Sequence, residues 1–139
     1  VFGDCVGDGT ALFNITGNQQ VAGSWAVEYT KAVGNYIKRS NGDAYALVAG
    51  RWGFATAVRN SDNSVDLYYN GALAGFAEIG VIGDTNAGAL VSCTIGAYAT
   101  GAAKQNFNGR IALPRIFNTA LSASNIETIY KRERSLFRI

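Results

Sequence analysis

Residues 107–130, FNGRIALPRIFNTALSASNIETIY, carry the reading of the fold. They read as a strand, Arg110–Phe117, that ends in a short turn and drops into one capped helix. Ser122 is a good N-cap, because its hydroxyl can accept from the first free backbone N–H groups of a helix. Leu121 before the cap and Ile126 four residues after it match a hydrophobic staple. Ile126, Ile129, Tyr130 and Phe137 recur at helical spacing, which predicts a helix lying with that face down as a structural lid. Pro114 falls inside the strand and cannot donate to a ladder, so the strand is expected at an edge or at a bulge.

Working outward, Val65-Asp66-Leu67-Tyr68-Tyr69-Asn70-Gly71 reads as a strand ending in a hairpin turn, since Asn and Gly both tolerate positive φ. Its partner is expected over Ala72–Ile79. In Ser24–Lys31, Trp25, Val27 and Tyr29 share one face and Ala26, Glu28 and Thr30 the other, the period of a half-buried strand. Further strands are expected over residues 9–15, Ala44–Ala49, Gly53–Arg59, Ser64–Tyr69 and Leu90–Tyr98. Asn60-Ser61-Asp62-Asn63 is expected to close a hairpin, and Ser40-Asn41-Gly42-Asp43 to form a turn. Short strands at this spacing predict an all-β antiparallel sandwich or barrel.

The chain has 139 residues, which suits one domain, residues 1–139, and is long enough to bury a core without staples. Apolar residues make up 48% and charged residues 16%, the balance of a folded domain and not of a disordered tail. No apolar run approaches the eighteen or so residues of a membrane helix, and no signal-peptide pattern is present. Absence of methionine leads us to expect a piece of a longer chain. The net charge is +2, and Lys131, Arg132, Arg134 and Arg138 fall at the helix end, where cations suit the dipole. That placement argues for a solvated helix end and against nucleic acid, which would want a basic stripe with interleaved aromatics. Cys5 and Cys93 are the two cysteines; alternation puts Cys93 on the face of Val91 and Ile95, and a buried free thiol and a disulfide both remain open.

Several segments occur together in order: Ser24–Tyr29, Val65–Gly71, Thr94-Ile95-Gly96, Phe107–Ile111, Arg115–Asn118 and Ala120-Leu121-Ser122. Together they resemble the laminin-G-like branch of the concanavalin A-like lectin/glucanase superfamily, over about residues 9–130. The resemblance implies a jelly roll of two curved antiparallel sheets with one C-terminal helix. It also implies membership among adhesion domains, sugar-binding appendages or bacteriophage structural proteins. The ending Ile129–Phe137 is similar to the phage members. Where such members often carry acids after the Gly-Arg-Ile start, this chain has Ala112 and Leu113, so a polar or calcium-binding role for that strand is unsupported.

Chemistry is sparse. With no histidine, a Ser-His-Asp or Cys-His device is excluded. The glucanase branch uses closely spaced carboxylates on one strand, Glu-x-Asp-x-x-Glu, and no such pattern occurs among Asp4, Asp8, Glu28, Asp43, Asp62, Asp66, Glu78, Asp84, Glu127 and Glu133. Asp62 and Asp66 are the nearest pair outside the chain start, but one is placed in a turn and the other on a strand, away from the geometry a glycosidase needs. No phosphate loop is present. The domain is therefore expected to be non-catalytic. No cofactor is expected; calcium would have to draw on Asn41, Asp43, Asp62, Asn63, Asp84 and Asn86, which turns collect anyway. Contact residues are sought among aromatics near strand ends: Trp52, Tyr68, Tyr36, Tyr45 and Tyr98. Tyr68 alternates away from Leu67 and is expected outward or on the second sheet face; Trp25 is expected in the core; Trp52 suits core or contact surface. The expected role is a surface-binding or decoration module of a phage-type virion, extracellular or on the particle surface. Its partners would be other virion proteins or a host-surface glycan, in a homo-oligomer or larger assembly. The alternative is a carbohydrate-binding module of a secreted enzyme or adhesin.

Overall fold

A computed structural model describes residues 2–7, 12–17, 25–30, 35–40, 48–61, 64–74, 76–79, 90–95, 97–100, 103–106 and 109–139, with side chains over 48–61, 64–74, 95 and 109–139. The described strands are β1 (Phe2–Gly7), β2 (Leu12–Gly17), β3 (Trp25–Thr30), β4 (Asn35–Ser40), β5 (Ala55–Arg59) and β6 (Val65–Tyr69). They continue with β7 (Ala72–Leu73), β8 (Phe76–Ile79), β9 (Leu90–Ile95), β10 (Ala97–Thr100) and β11 (Ala103–Asn106), and the helix α1 spans Ala123–Phe137. Every pairing among them is antiparallel.

Six strands form one sheet in the order β8-β4-β3-β2-β1-β9. Strands β2, β3 and β4 follow one another as neighbours, in register from Leu12↔Thr30 to Gly17↔Trp25 and from Ala26↔Arg39 to Thr30↔Asn35. The chain leaves this sheet after Ser40 and returns at Phe76, and these two residues are themselves register partners. Between them lies a three-stranded meander, β5-β6-β7. A separate hairpin pairs β10 with β11. The strand expected over Leu90–Tyr98 is thus two strands, β9 and β10, which pair in different sheets. The strand expected over Ala72–Ile79 also divides: β7 stays with the meander, while β8 joins β4 in the larger sheet. Ala74 marks the division, buried at 2% exposure, with its N–H donating to the Leu67 carbonyl at 2.8 Å.

The meander follows from its turns. Asn60 N–H donates to the Ser64 carbonyl at 2.8 Å, closing the first hairpin. Its side-chain Nδ2 donates to Ser64 Oγ and to Asp66 Oδ2, each at 2.9 Å. The second hairpin turns on Asn70 at φ 50 and Gly71 at φ 81, the pair of left-handed residues that a two-residue turn of right-twisted strands requires. Register runs from Ala55↔Tyr69 to Arg59↔Val65. Residues opposite each other share a face. Thr56, Val58, Asp66 and Tyr68 therefore make one face, and Ala55, Ala57, Val65, Leu67 and Tyr69 the other.

Both faces are covered. Val65 and Leu67 are fully buried on one, and β4 approaches β6 to within 8 Å between Cα atoms. On the other, Val58 and Tyr68 pack with Ile126 of α1, joined by the half-buried Phe54 and Leu121. Ile126 has no exposure, worth roughly 1.5–3 kcal/mol of transfer free energy for an aliphatic side chain. The expected staple is thus present: Leu121 and Ile126 meet in one cluster over the sheet.

The helix ends are as the sequence predicts at the start and unusual at the finish. Ser122 has extended dihedrals, φ −70 and ψ 157, and its Oγ accepts from Asn125 N at 3.2 Å. At the other end Arg138 takes the left-handed conformation, φ 56 and ψ 42, with its N–H donating to the Arg134 carbonyl.

The strand expected before the helix, over residues 110–117, does not form. Leu113 sits at φ 49, which breaks an extended pleat, and Pro114 lacks the N–H that a ladder needs. The segment is mostly exposed, with Ile116 at 84%. Residues 44–47 of the strand expected at Ala44–Ala49 lie outside the described residues; Val48–Gly50 is a turn, with Gly50 at φ 77 and Arg51 N–H donating to the Val48 carbonyl. Residues 41–43 of the turn expected at 40–43 lie outside the described residues, as do Asp62 and Asn63, though the hairpin expected to close at 60–63 is present between β5 and β6.

Candidate functional site

Most of the described aromatic rings gather where the segment before β5 meets the helix. Asn70 sets their position. Its Oδ1 accepts from Phe54 N at 3.0 Å and its own N–H donates to the Phe54 carbonyl at 2.8 Å. This clamps Trp52-Gly53-Phe54 to the hairpin turn. Trp52 then packs on Phe137, with ring centroids 4.9 Å apart and planes tilted by 51°. Phe54 faces Tyr130 at 6.0 Å and 48°. Two glycines permit the close fit. A Cβ on Gly53 would stand 2.5 Å from the Tyr69 hydroxyl, and one on Gly71 would stand 2.7 Å from Tyr130 Cδ1.

Electrostatics are mild. Burial raises the Tyr68 phenol above its ordinary value, and the Asp66 carboxylate adds to the shift. Burial also raises Tyr69, with a smaller contribution from Tyr130. The Arg134 guanidinium lies 6.0 Å from the Tyr130 ring centroid. Around the rim stand exposed Arg51, Val48 and Leu136.

The contact residues sought in the sequence fall in different places. Trp52 is half-buried, with Phe137 packed against its ring, so it is both part of the packing and partly open. Tyr68 does lie on the face opposite Leu67, but it is 7% exposed, because α1 covers that face. Of the two positions expected for it, outward or on the second sheet face, the outward one is corrected: Tyr68 is on the face away from Leu67, and the helix covers that face. Tyr36 lies in β4 of the large sheet and Tyr98 in β10 of the separate hairpin, so the backbone does not bring them to one sheet with Trp52. Trp25 begins β3, opposite Gly17. Tyr45 lies outside the described residues, as do the calcium candidates Asn41, Asp43, Asp62, Asn63, Asp84 and Asn86. Among the described residues no group of three or more acidic or cysteine side chains gathers that could hold a metal ion.

Three carboxylates have described side chains, and each has a partner. Asp66 accepts from Asn60. Glu127 pairs with Lys131 one turn on, at 2.7 Å on the exposed face. Glu133 is buried at 7% exposure, 2.6 Å from Arg115 Nη1 and 3.4 Å from Arg132 Nη2. Sequence reasoning missed Glu133 as an interior residue. The signal was present: it lies seven residues after Ile126, on the same helical stripe as Tyr130 and Phe137.

The described residues thus form antiparallel sheets of short strands, one of them covered on one face by an amphipathic helix with aromatic rings at its edge. A family model described as the concanavalin A-like lectin/glucanases superfamily, of laminin-G type, matches residues 3–127, and the chain belongs to that superfamily. No curated protein and no solved structure matches the chain. The superfamily holds both lectins and glucanases, so the fold by itself assigns neither binding nor catalysis.

Proposed function

We propose that this domain is a non-catalytic contact module, acting by protein or glycan contact as a surface-binding or decoration element of a phage-type virion. The observation that carries the reading is Trp52: a half-buried indole held in place by Phe137 and the Asn70 clamp, with exposed Arg51 beside it. A preorganised aromatic with an adjacent cation suits stacking on a sugar ring or anchoring a protein surface, since Trp and Arg dominate contact energetics. The absence of histidine from the chain and the structural partners of Asp66, Glu127 and Glu133 support a non-catalytic role. The phage-type setting, with virion or extracellular location and an oligomeric context, rests on the resemblance of the ending Ile129–Phe137.

A glycan array together with co-sedimentation on intact particles tests the reading. Wild type should bind one surface, and Trp52→Ala should weaken binding tenfold or more while circular dichroism keeps its folded signature. Tyr68→Ala is unsuitable, because a buried ring reports on folding. Unchanged binding by Trp52→Ala would remove the platform from the proposal. Binding to one glycan class without particle association would point instead to a carbohydrate-binding module. Turnover of a β-glucan by the purified domain would overturn the non-catalytic reading.

A further inference from the structure

Strands β1 and β9 are hydrogen-bonded neighbours at one end of the six-stranded sheet, and in their register Cys5 stands directly opposite Cys93. Val6↔Ser92 continues the same register, and the pairing shifts on either side, between Phe2 and Cys5 and between Val6 and Gly7. The two cysteines of the chain therefore meet in a short regular stretch between two irregularities. From the placement of these backbones we propose that Cys5 and Cys93 form a cross-strand disulfide that fastens the first strand to the edge strand of the sheet.

The geometry of a ladder carries the proposal. Directly opposed residues of an antiparallel pair have Cα atoms about 4.5–5.5 Å apart, inside the range of about 4.4–6.8 Å that disulfides span. Two cysteines placed at random on a sheet of six strands would seldom fall on one register pair. Ile95, two residues along β9, is 55% exposed, so this end of the strand is open to a small oxidant and not sealed in a core.

The chemistry is ordinary exchange. One cysteine thiolate attacks a sulfur of a small disulfide oxidant such as oxidised glutathione and releases one thiol. The second thiolate then displaces the other thiol, closing the protein bond. The two protein thiols lose two electrons and two protons; the oxidant gains them and leaves as two thiols. The bond would close a loop from residue 5 to residue 93, most of the chain. Cross-links over long loops restrict the unfolded chain most, so the oxidised form should melt higher by about 10 °C.

The test uses the whole chain, reduced and then exposed to oxidised glutathione at mildly alkaline pH. The proposal expects a monomer in which neither cysteine takes iodoacetamide after denaturation, and a tryptic map that joins the Cys5 and Cys93 peptides. It also expects a melting temperature that falls on adding reductant, with no such fall in Cys5→Ser/Cys93→Ser. Two alkylated cysteines, a stable mixed disulfide with glutathione, or a bond only between copies would each overturn it. Should the double variant fail to fold, the peptide map of the wild-type chain decides alone.

Discussion

Arg115→Ala is the sharpest probe of how the segment before the helix is held. Residues 110–121 form no ladder, and Arg115 reaches from there to Glu133 at 2.6 Å. The Glu133 side chain is 9% exposed and that of Arg115 35%. Removing one partner of a fully buried pair costs about 3–5 kcal/mol, because a charge is left without compensation. Here the cost is smaller. Arg115 is itself over a third open to water, and Arg132 stands 3.4 Å from the same oxygen and keeps part of the compensation. We expect a loss of about 1–2 kcal/mol, between the value for an exposed pair and that for a buried one. With a urea dependence of about 2 kcal/mol per M, the midpoint should fall by about 0.5–1 M. Tryptophan fluorescence can follow it, since Trp52 lies against the helix. Chymotryptic cleavage after Phe117 should also quicken. The double variant Arg115→Met/Glu133→Leu should recover most of the loss, because it leaves no orphaned charge. A midpoint for Arg115→Ala within about 0.2 M of wild type, with unchanged cleavage, would refute the reasoning.

Gly71→Ala should destabilise by about 2–4 kcal/mol: alanine resists the left-handed conformation, and its Cβ would meet the Tyr130 ring; urea titration measures it. Ser122→Ala should cost about 1 kcal/mol through loss of the bond to Asn125 N, read from the same titration. Raising pH should also destabilise the fold. Tyr68 and Tyr69 have folded-state values above the unfolded one, so the stability they contribute is complete below the ordinary tyrosine value and is lost as pH rises through the raised values. Stability against pH should decline on that alkaline side, and Tyr69→Phe should flatten the decline; a slope unaltered by that change would contradict the assignment.

Local chemistry made the helix and both meander hairpins legible. Ser122, Leu121 and Ile126 act within one turn of each other, and Asn70-Gly71 specifies its own conformation. Strands β1, β4 and β11 were not anticipated. Phe2–Gly7 carries two glycines and an aspartate, and Asn35–Ser40 has a polar run of Lys38, Arg39 and Ser40, so neither shows a clean apolar alternation. Their strand character comes from their neighbours in the sheet, as β-propensity mostly does. Arg110–Phe117 failed in the opposite direction: its apolar content resembled a strand, while Pro114 and the conformation of Leu113 denied it a ladder. At the candidate site, alternation assigned Tyr68 to its face. Burial of that face depends on α1, more than fifty residues away, and no local pattern reports a contact at that distance. The helical stripe marks Glu133 as inward, but its partner Arg115 lies in a segment without regular structure, where no periodic pattern reports the contact.

The register partnership of Ser40 with Phe76 makes residues 41–75 an excursion whose two ends emerge side by side from the large sheet. Such a stretch is a natural graft. Its replacement by a short turn would leave the residues of β4 and β8 that pair in place, while the rings and strands of the meander that the helix packs against would leave with it. Variation in length and sequence can therefore accumulate between β4 and β8 without disturbing the register of the six-stranded sheet, and Trp52 lies inside that exchangeable stretch.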